Sequence, residues 1–126
     1  MEIRLDIDVH DVLSVHLSDG DDRAVVSAAP AAAAIASLTR AFEAAIETGY
    51  GECFWPAFEG GHYWWIVTKR AEAVEMMAMW TRGGASLWEH VFRATDAADW
   101  IRSRLASEAE RMGLGSGPQG AASSSG

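Results

Sequence analysis

The strict alternation at the N-terminus constrains the fold most. Ile3, Leu5, Ile7 and Val9 alternate with Arg4, Asp6, Asp8 and His10, and the same parity resumes at Leu13, Val15 and Leu17 between Ser14, His16 and Ser18. A period of two puts successive side chains on opposite faces of an extended chain, so both stretches are predicted as half-buried strands. A turn at His10, Asp11 and Val12 sets Val9 opposite Leu13 and Ile7 opposite Val15, with every apolar residue on one face. One long strand kinked near Asp11 is the alternative, because that turn lacks the glycine it would prefer. Asp19-Gly20-Asp21-Asp22 reads as a turn, and Arg23 to Ser27 as a candidate short strand.

The period then changes. Ile35, Leu38, Phe42 and Ile46 follow one another at spacings of three and four, which predicts a helix capped by Ser27, tolerating Pro30 in its first turn and stopped by Gly49. Residues 49–61, rich in glycine and aromatics, read as a loop whose Phe54, Trp55 and Phe58 pack on the core. Residues 62–69, 72–82 and 85–93 read as a three-stranded meander with two-residue turns at Arg70-Ala71 and Gly83-Gly84. Thr95 or Asp96 caps a last helix with Ala98, Ile101, Leu105, Ala109 and Met112 on one stripe, and Gly113 with Leu114 closes it. The expected fold class is α+β, one domain over residues 1–114 in the order ββαβββα. An antiparallel sheet packs on two helices, and a Gly/Ser/Ala tail at 115–126 is expected to be disordered.

Charge and cysteine content narrow the function classes. The 126 residues are 49% hydrophobic, enough for one core, and carry a net charge of −8. Residues 1–22 hold seven carboxylates (Glu2, Asp6, Asp8, Asp11, Asp19, Asp21 and Asp22) against Arg4 alone, or −6 of that −8. Such a field repels phosphate backbones and attracts basic partners, so a basic protein is the expected partner and nucleic acid is not. No apolar run approaches a membrane span and the first residues do not resemble a signal peptide, so no membrane association is expected. Cys53 is the only cysteine, which excludes an intramolecular disulfide and a Cys-rich zinc site and fits a reducing cytoplasm. One lysine against nine arginines, with abundant Ala and Gly, matches a GC-rich bacterial genome.

Several motifs reduce to structure. Gly113, Gly115 and Gly117 follow no strand and precede no helix, so they form no phosphate loop. Asp19-Gly20-Asp21-Asp22 lacks the spaced ligands of a calcium loop and has Pro30 where its final Glu belongs. Glu52, Cys53 and His62 share one loop, a weak thiolate arrangement, because free cysteine is usually buried and inert. The meander gives a sharper constellation. With both two-residue turns, one face carries Tyr63, Trp65, Val67, Val74, Met76, Ala78, Trp80, Leu87 and Val91 and packs under the helices. The other carries His62, Trp64, Ile66, Glu75, Met77, Met79, Trp88, His90 and Phe92. Two helices cover one face of a sheet, so this second face is expected to be exposed in part, unless the N-terminal strands or the aromatic loop fold across it.

From residue 30 to 112 the order helix, meander, helix matches a double-stranded-RNA-binding domain. The second helix, however, starts Thr95-Asp96-Ala97-Ala98-Asp99 and lacks the basic start that grips phosphate, so that reading is rejected. Leu38 to Phe42, then Gly51-Glu52, Trp55, Gly60-Gly61 and Tyr63-Trp64-Trp65 before a hairpin and a last helix, resembles small acidic bacterial proteins of unassigned function, among them immunity-type proteins that neutralise a toxin. The resemblance spans the middle half of the chain and implies a protein-binding role.

The function expected first is therefore a protein-binding module, in its most concrete form an inhibitor or immunity protein for a basic toxin. Its candidate contacts are Asp6, Asp8, Asp21 and Asp22 for charge and Trp64, Met77, Met79, Trp88 and His90 for desolvated area. A small-molecule-binding protein or enzyme using Glu75, His90, His62 or Cys53 is second, and a homodimer joined through the open face third. No cofactor or metal is expected.

Overall fold

A computed structural model describes residues 1–57, 60–82 and 87–114. Its order is β1 (Glu2–Ile7), β2 (Leu13–Asp19), β3 (Asp22–Ala28), α1 (Ala31–Thr48), β4 (Tyr50–Pro56), β5 (His62–Arg70), β6 (Ala73–Thr81), β7 (Glu89–Ala97) and α2 (Ala98–Arg111). The fold is α+β with two antiparallel sheets, β1-β2-β3 and β4-β5-β6-β7, and two helices. The expected tail at 115–126 lies outside the described residues, as do Phe58 and the Gly83-Gly84 pair.

The N-terminal alternation forms a hairpin, not one kinked strand. Its register is Ile7↔Leu13 and Leu5↔Val15, two residues from the predicted pairing. A slip of two preserves parity, so Ile3, Leu5, Leu13, Val15 and Leu17 all remain buried, and the cost falls on Val9, left in the connecting loop at 94% exposure. Asp8 holds that loop: its Oδ1 accepts from the backbone N–H of His10 (2.8 Å) and of Val12 (3.1 Å). The short strand foreseen at Arg23 to Ser27 is β3. Ser27 lies within it and pairs with Ser14 through their hydroxyls at 3.1 Å, so it does not cap α1; Pro30 occupies that position without a side-chain cap.

The start of the loop expected at 49–61 is a strand, β4. Its inward positions are Gly51, Cys53 and Trp55. Gly51 lets β4 run against α1, since a Cβ there would lie 1.8 Å from the Ala41 carbonyl oxygen. The turn between β5 and β6 is Ala71-Glu72, one residue beyond the expected place, which shifts the pairing by two and leaves the faces of these strands as predicted. Between β6 and β7 the parity changes. A register shift at Ala78/Met79 lets Ala78 pair with Phe92 on one side of it and Met79 with His90 on the other. Phe92, expected outside, is consequently buried, whereas Leu87, expected inside, is 79% exposed. β7 also runs on through Thr95 and Asp96, so α2 starts at Ala98 with neither residue as its cap. Its C-terminal closure is as predicted: Gly113 has φ +76° and the Leu114 N–H donates to the Ala109 carbonyl at 2.7 Å.

Among the described residues, the buried apolar side chains join one core. α1 covers the inner side of β4 and β5, and α2 lies against β1, β6 and β7. The inner face of the four-stranded sheet supplies Trp55, Trp65, Val67, Val74, Met76, Ala78, Phe92 and Ala94 to the same cluster as Leu5, Val15, Leu38, Phe42 and Ile101.

The open edge of β1 is closed by side chains of α2. The Leu5 N–H donates to Glu108 Oε1 (3.0 Å), Arg111 donates to the Leu5 carbonyl (2.8 Å), and Arg104 donates to the Ile3 carbonyl (3.2 Å). Arg111 also donates to Glu108 at 2.8 Å. These groups replace the neighbouring strand that an edge otherwise invites. The Arg111 hydrogen bond, then the Leu5 N–H and the charges of Arg111 and Arg104, outweigh burial and hold the Glu108 carboxyl at about 2, against an ordinary value of 4.5. Because the folded value is depressed, this contribution is complete above about pH 4.5 and is lost as pH falls toward 2. Glu108→Gln is therefore expected to lower stability in urea titrations at pH 7 by about 1–3 kcal/mol, with the gap to the parent chain narrowing over that acid window. A gap independent of pH would contradict the ionic role.

Candidate functional site

The outer face of the four-stranded sheet faces away from both helices and from the other sheet. β4 contributes Tyr50, Glu52 and Phe54, and β5 contributes His62, Trp64 and Ile66. β6 adds Glu75, Met77 and Met79, and Trp88 and His90 stand at the start of β7. The alternation that buries Trp55 and Trp65 fully on one side leaves Phe54 52% exposed and Trp64 half-buried on the other. Sequence reasoning therefore placed Trp64, Met77, Met79, Trp88 and His90 on the correct face. Phe54, expected to pack on the core, instead points outward with Glu52 and Tyr50, because residues 50–56 form a strand and not a loop.

Three rings meet there. Phe54 and Trp64 are stacked with centroids 5.7 Å apart and planes 14° from parallel. Trp88 leans on both, at 5.3 Å from Trp64 and 6.3 Å from Phe54, with interplanar angles of 58° and 50°. Glu52 is tied into the cluster by two donors, Trp64 Nε1 and the Tyr50 hydroxyl, each 2.9 Å from its Oε1. Burial, followed by the bond to Glu52, pushes the Tyr50 hydroxyl above its ordinary range. On the inner side Trp55 and Trp65 meet edge to face at 5.2 Å, and Trp55 Nε1 donates to the Ala34 carbonyl and the Ser37 hydroxyl. Of the six tryptophans, Trp55 and Trp65 thus form an internal pair in the core and Trp64 and Trp88 a pair on the outer face.

The candidate acidic contacts lie elsewhere. Asp6 is on the exposed side of β1, 3.2 Å from His16 and 3.6 Å from Arg4. The two backbone donors of the first loop keep the Asp8 carboxyl below its usual range. Asp21 and Asp22 are at the β2–β3 hairpin, whose Asp19 is 3.9 Å from the N-terminal ammonium that also pairs with Asp96. Asp96 stands eight residues beyond Trp88, roughly 26 Å along β7 at the usual strand rise. Asp21 and Asp22 are therefore at the opposite end of the domain from the aromatic cluster, and the two groups form no single patch.

The chemistry considered for the sheet face does not assemble. Glu75 sits opposite Thr95 and is 3.6 Å from Arg93, whereas His90 sits opposite Met79, four residues and about 13 Å along β6. His62 pairs with Thr81 on the other flank of β6, two strand spacings or roughly 10 Å from β7. Among the described residues no His, Cys, Asp and Glu group has the geometry to hold a metal. Between α1 and α2 lies a cleft of about 830 Å³ lined by Ala36, Ala106 and Ala109, with Arg102 and Glu43 paired at 2.7 Å on its rim; its lining includes no cysteine, serine or histidine. No helix among the described residues is long and apolar enough to cross a membrane.

Compared with protein-family models, with curated proteins and with solved structures, the chain matches none.

Cys53 points inward from β4 toward α1, and burial pushes its thiol up to about 11, with Ser37 and Arg40 only partly offsetting it. A thiol at about 11 in place of its ordinary 9.0 holds about 100-fold less thiolate at a given pH. Native protein is accordingly expected to react with an aromatic disulfide reagent at pH 8 about 100-fold more slowly than urea-unfolded protein. Equal rates would show that the thiol is exposed and activated.

Proposed function

We propose that this chain is a protein-binding module, most concretely an inhibitor or immunity protein that captures a basic toxin. The observation that carries the reading is the sheet face covered by neither helix nor the other sheet, on which the exposed Phe54 touches the partly buried Trp64 and Trp88. Small domains rarely leave large rings outside a core unless the patch is a contact surface, and tryptophan is enriched among residues that anchor interfaces. Met77 and Met79 extend the patch with side chains able to adapt to a partner.

Charge has a separate role in this reading. Asp21 and Asp22 are distant from the rings, but steering acts through the summed field and does not require adjacency. Asp21 and Asp22 take part in no ion pair among the described residues, so their full charge reaches solvent. A homodimer would use the same aromatic face but would gain nothing from an excess of one sign of charge.

The test is co-expression with the product of the adjacent reading frame in the source genome. That product is expected to arrest growth alone, to be neutralised by this chain and to form a complex with it. Changing Asp21 and Asp22 to Asn is expected to slow association several-fold at low salt and hardly at all at high salt, with dissociation unchanged. Absence of both protection and complex contradicts the proposal.

A further inference from the structure

Resting on that protein-binding reading, we infer that the corner formed by Trp64, Trp88, Phe54 and Glu52 seats an arginine side chain of the basic partner. Indole faces are electron-rich and attract a cation placed over them. Trp64 and Trp88 meet at 58°, so they present two such faces at an angle to each other, with Phe54 backing Trp64. Trp64 also donates its N–H to a carboxylate, and this polarisation adds electron density to the ring that would carry the cation.

Glu52 supplies the countercharge. It is exposed, and Trp64 Nε1 and the Tyr50 hydroxyl both bind Oε1, which fixes the carboxylate. No donor among the described residues reaches Oε2. The other carboxylate of this face, Glu75, already has Arg93 at 3.6 Å, whereas Glu52 takes part in no ion pair among the described residues. A fixed anion beside an aromatic corner, without a cation of its own, is complementary to one positive group from outside. Arginine fits better than lysine: its planar guanidinium stacks on a ring while its edge donates to a carboxylate, and it is less strongly hydrated than an ammonium.

The full chain can be titrated with an alternating Arg-Gly octapeptide, with the Lys-Gly octapeptide as the probe of equal charge, while NMR follows the indole N–H signals. The signals of Trp64 and Trp88 are expected to move, and those of Trp55 and Trp65, which report an intact core, to stay in place. The arginine peptide should bind about fivefold or more tightly than the lysine peptide. Glu52→Gln keeps an acceptor for Trp64 and Tyr50 yet removes the charge, and should weaken arginine binding about fivefold or more; Glu110→Gln, on the exposed side of α2 and away from this face, should change it less than about twofold. Should Glu52→Gln disturb the Trp55 and Trp65 signals, Trp88→Leu provides the same comparison without touching the carboxylate.

Equal affinity for the two peptides, or equal losses from Glu52→Gln and Glu110→Gln, would reduce the effect to net charge and overturn the inference. Concentration-dependent shifts of Trp64 and Trp88 without peptide would overturn it too, by showing that a second copy occupies the corner. If arginine binding fails while co-expression still neutralises the toxin, this site is wrong and the protein-binding reading stands. If arginine binds at Trp64 and no toxin is neutralised, the site stands and the inhibitor reading falls.

Discussion

Two helices and a three-stranded sheet have enough apolar surface to cover one side of a four-stranded sheet, and this shortage organises the molecule. The large side chains of the inner side, Trp55, Trp65, Val67 and Met76, meet α1, α2 and the N-terminal strands in one core. The outer side is covered by neither helix nor the other sheet, although its strands carry equally large side chains that remain only partly buried. A sheet with rings on both faces and cover on one has unspent contact capacity, and that connects the architecture to the proposed function.

The domain closes through polar groups where apolar cover ends. Glu108, Arg111 and Arg104 cap the outer edge of β1 from the last helix, tying residues about a hundred positions apart in sequence. The same edge left bare would offer a template for pairing with another chain. One potential association route is thereby blocked, while the aromatic face remains open.

Much of the fold was legible in the sequence, because the inward residues of β1, β2, β5 and β6 keep strict parity and α1 keeps its three-and-four spacing. Register errors of two residues at the first loop and at Ala71-Glu72 left every face assignment intact. Two features were not legible. β4 was hidden because its inward position nearest α1 is Gly51, required by the approach to Ala41, so the alternation that marks a strand is broken by a packing demand. The irregularity at Ala78/Met79 reverses the parity of Phe92, and an extra residue in a ladder leaves no periodic trace in one strand. The site was half visible for the same reasons. Trp64, Met77, Met79, Trp88 and His90 were found by parity, while Glu52 and Phe54 required β4, and the acidic residues were recognised as a charge excess with no indication of their distance from the rings.

The central claim is that Trp64 and Trp88 are outside the folding core and Trp55 and Trp65 are inside it. Urea unfolding of Trp88→Ala compared with Trp65→Ala tests it most directly. The expected loss for Trp88→Ala is no more than about 1 kcal/mol, the worth of an exposed ring contact, against about 3–5 kcal/mol for Trp65→Ala, the cost of removing a buried ring. A loss of about 3 kcal/mol or more for Trp88→Ala would place that ring in the core and contradict the account of an open contact face.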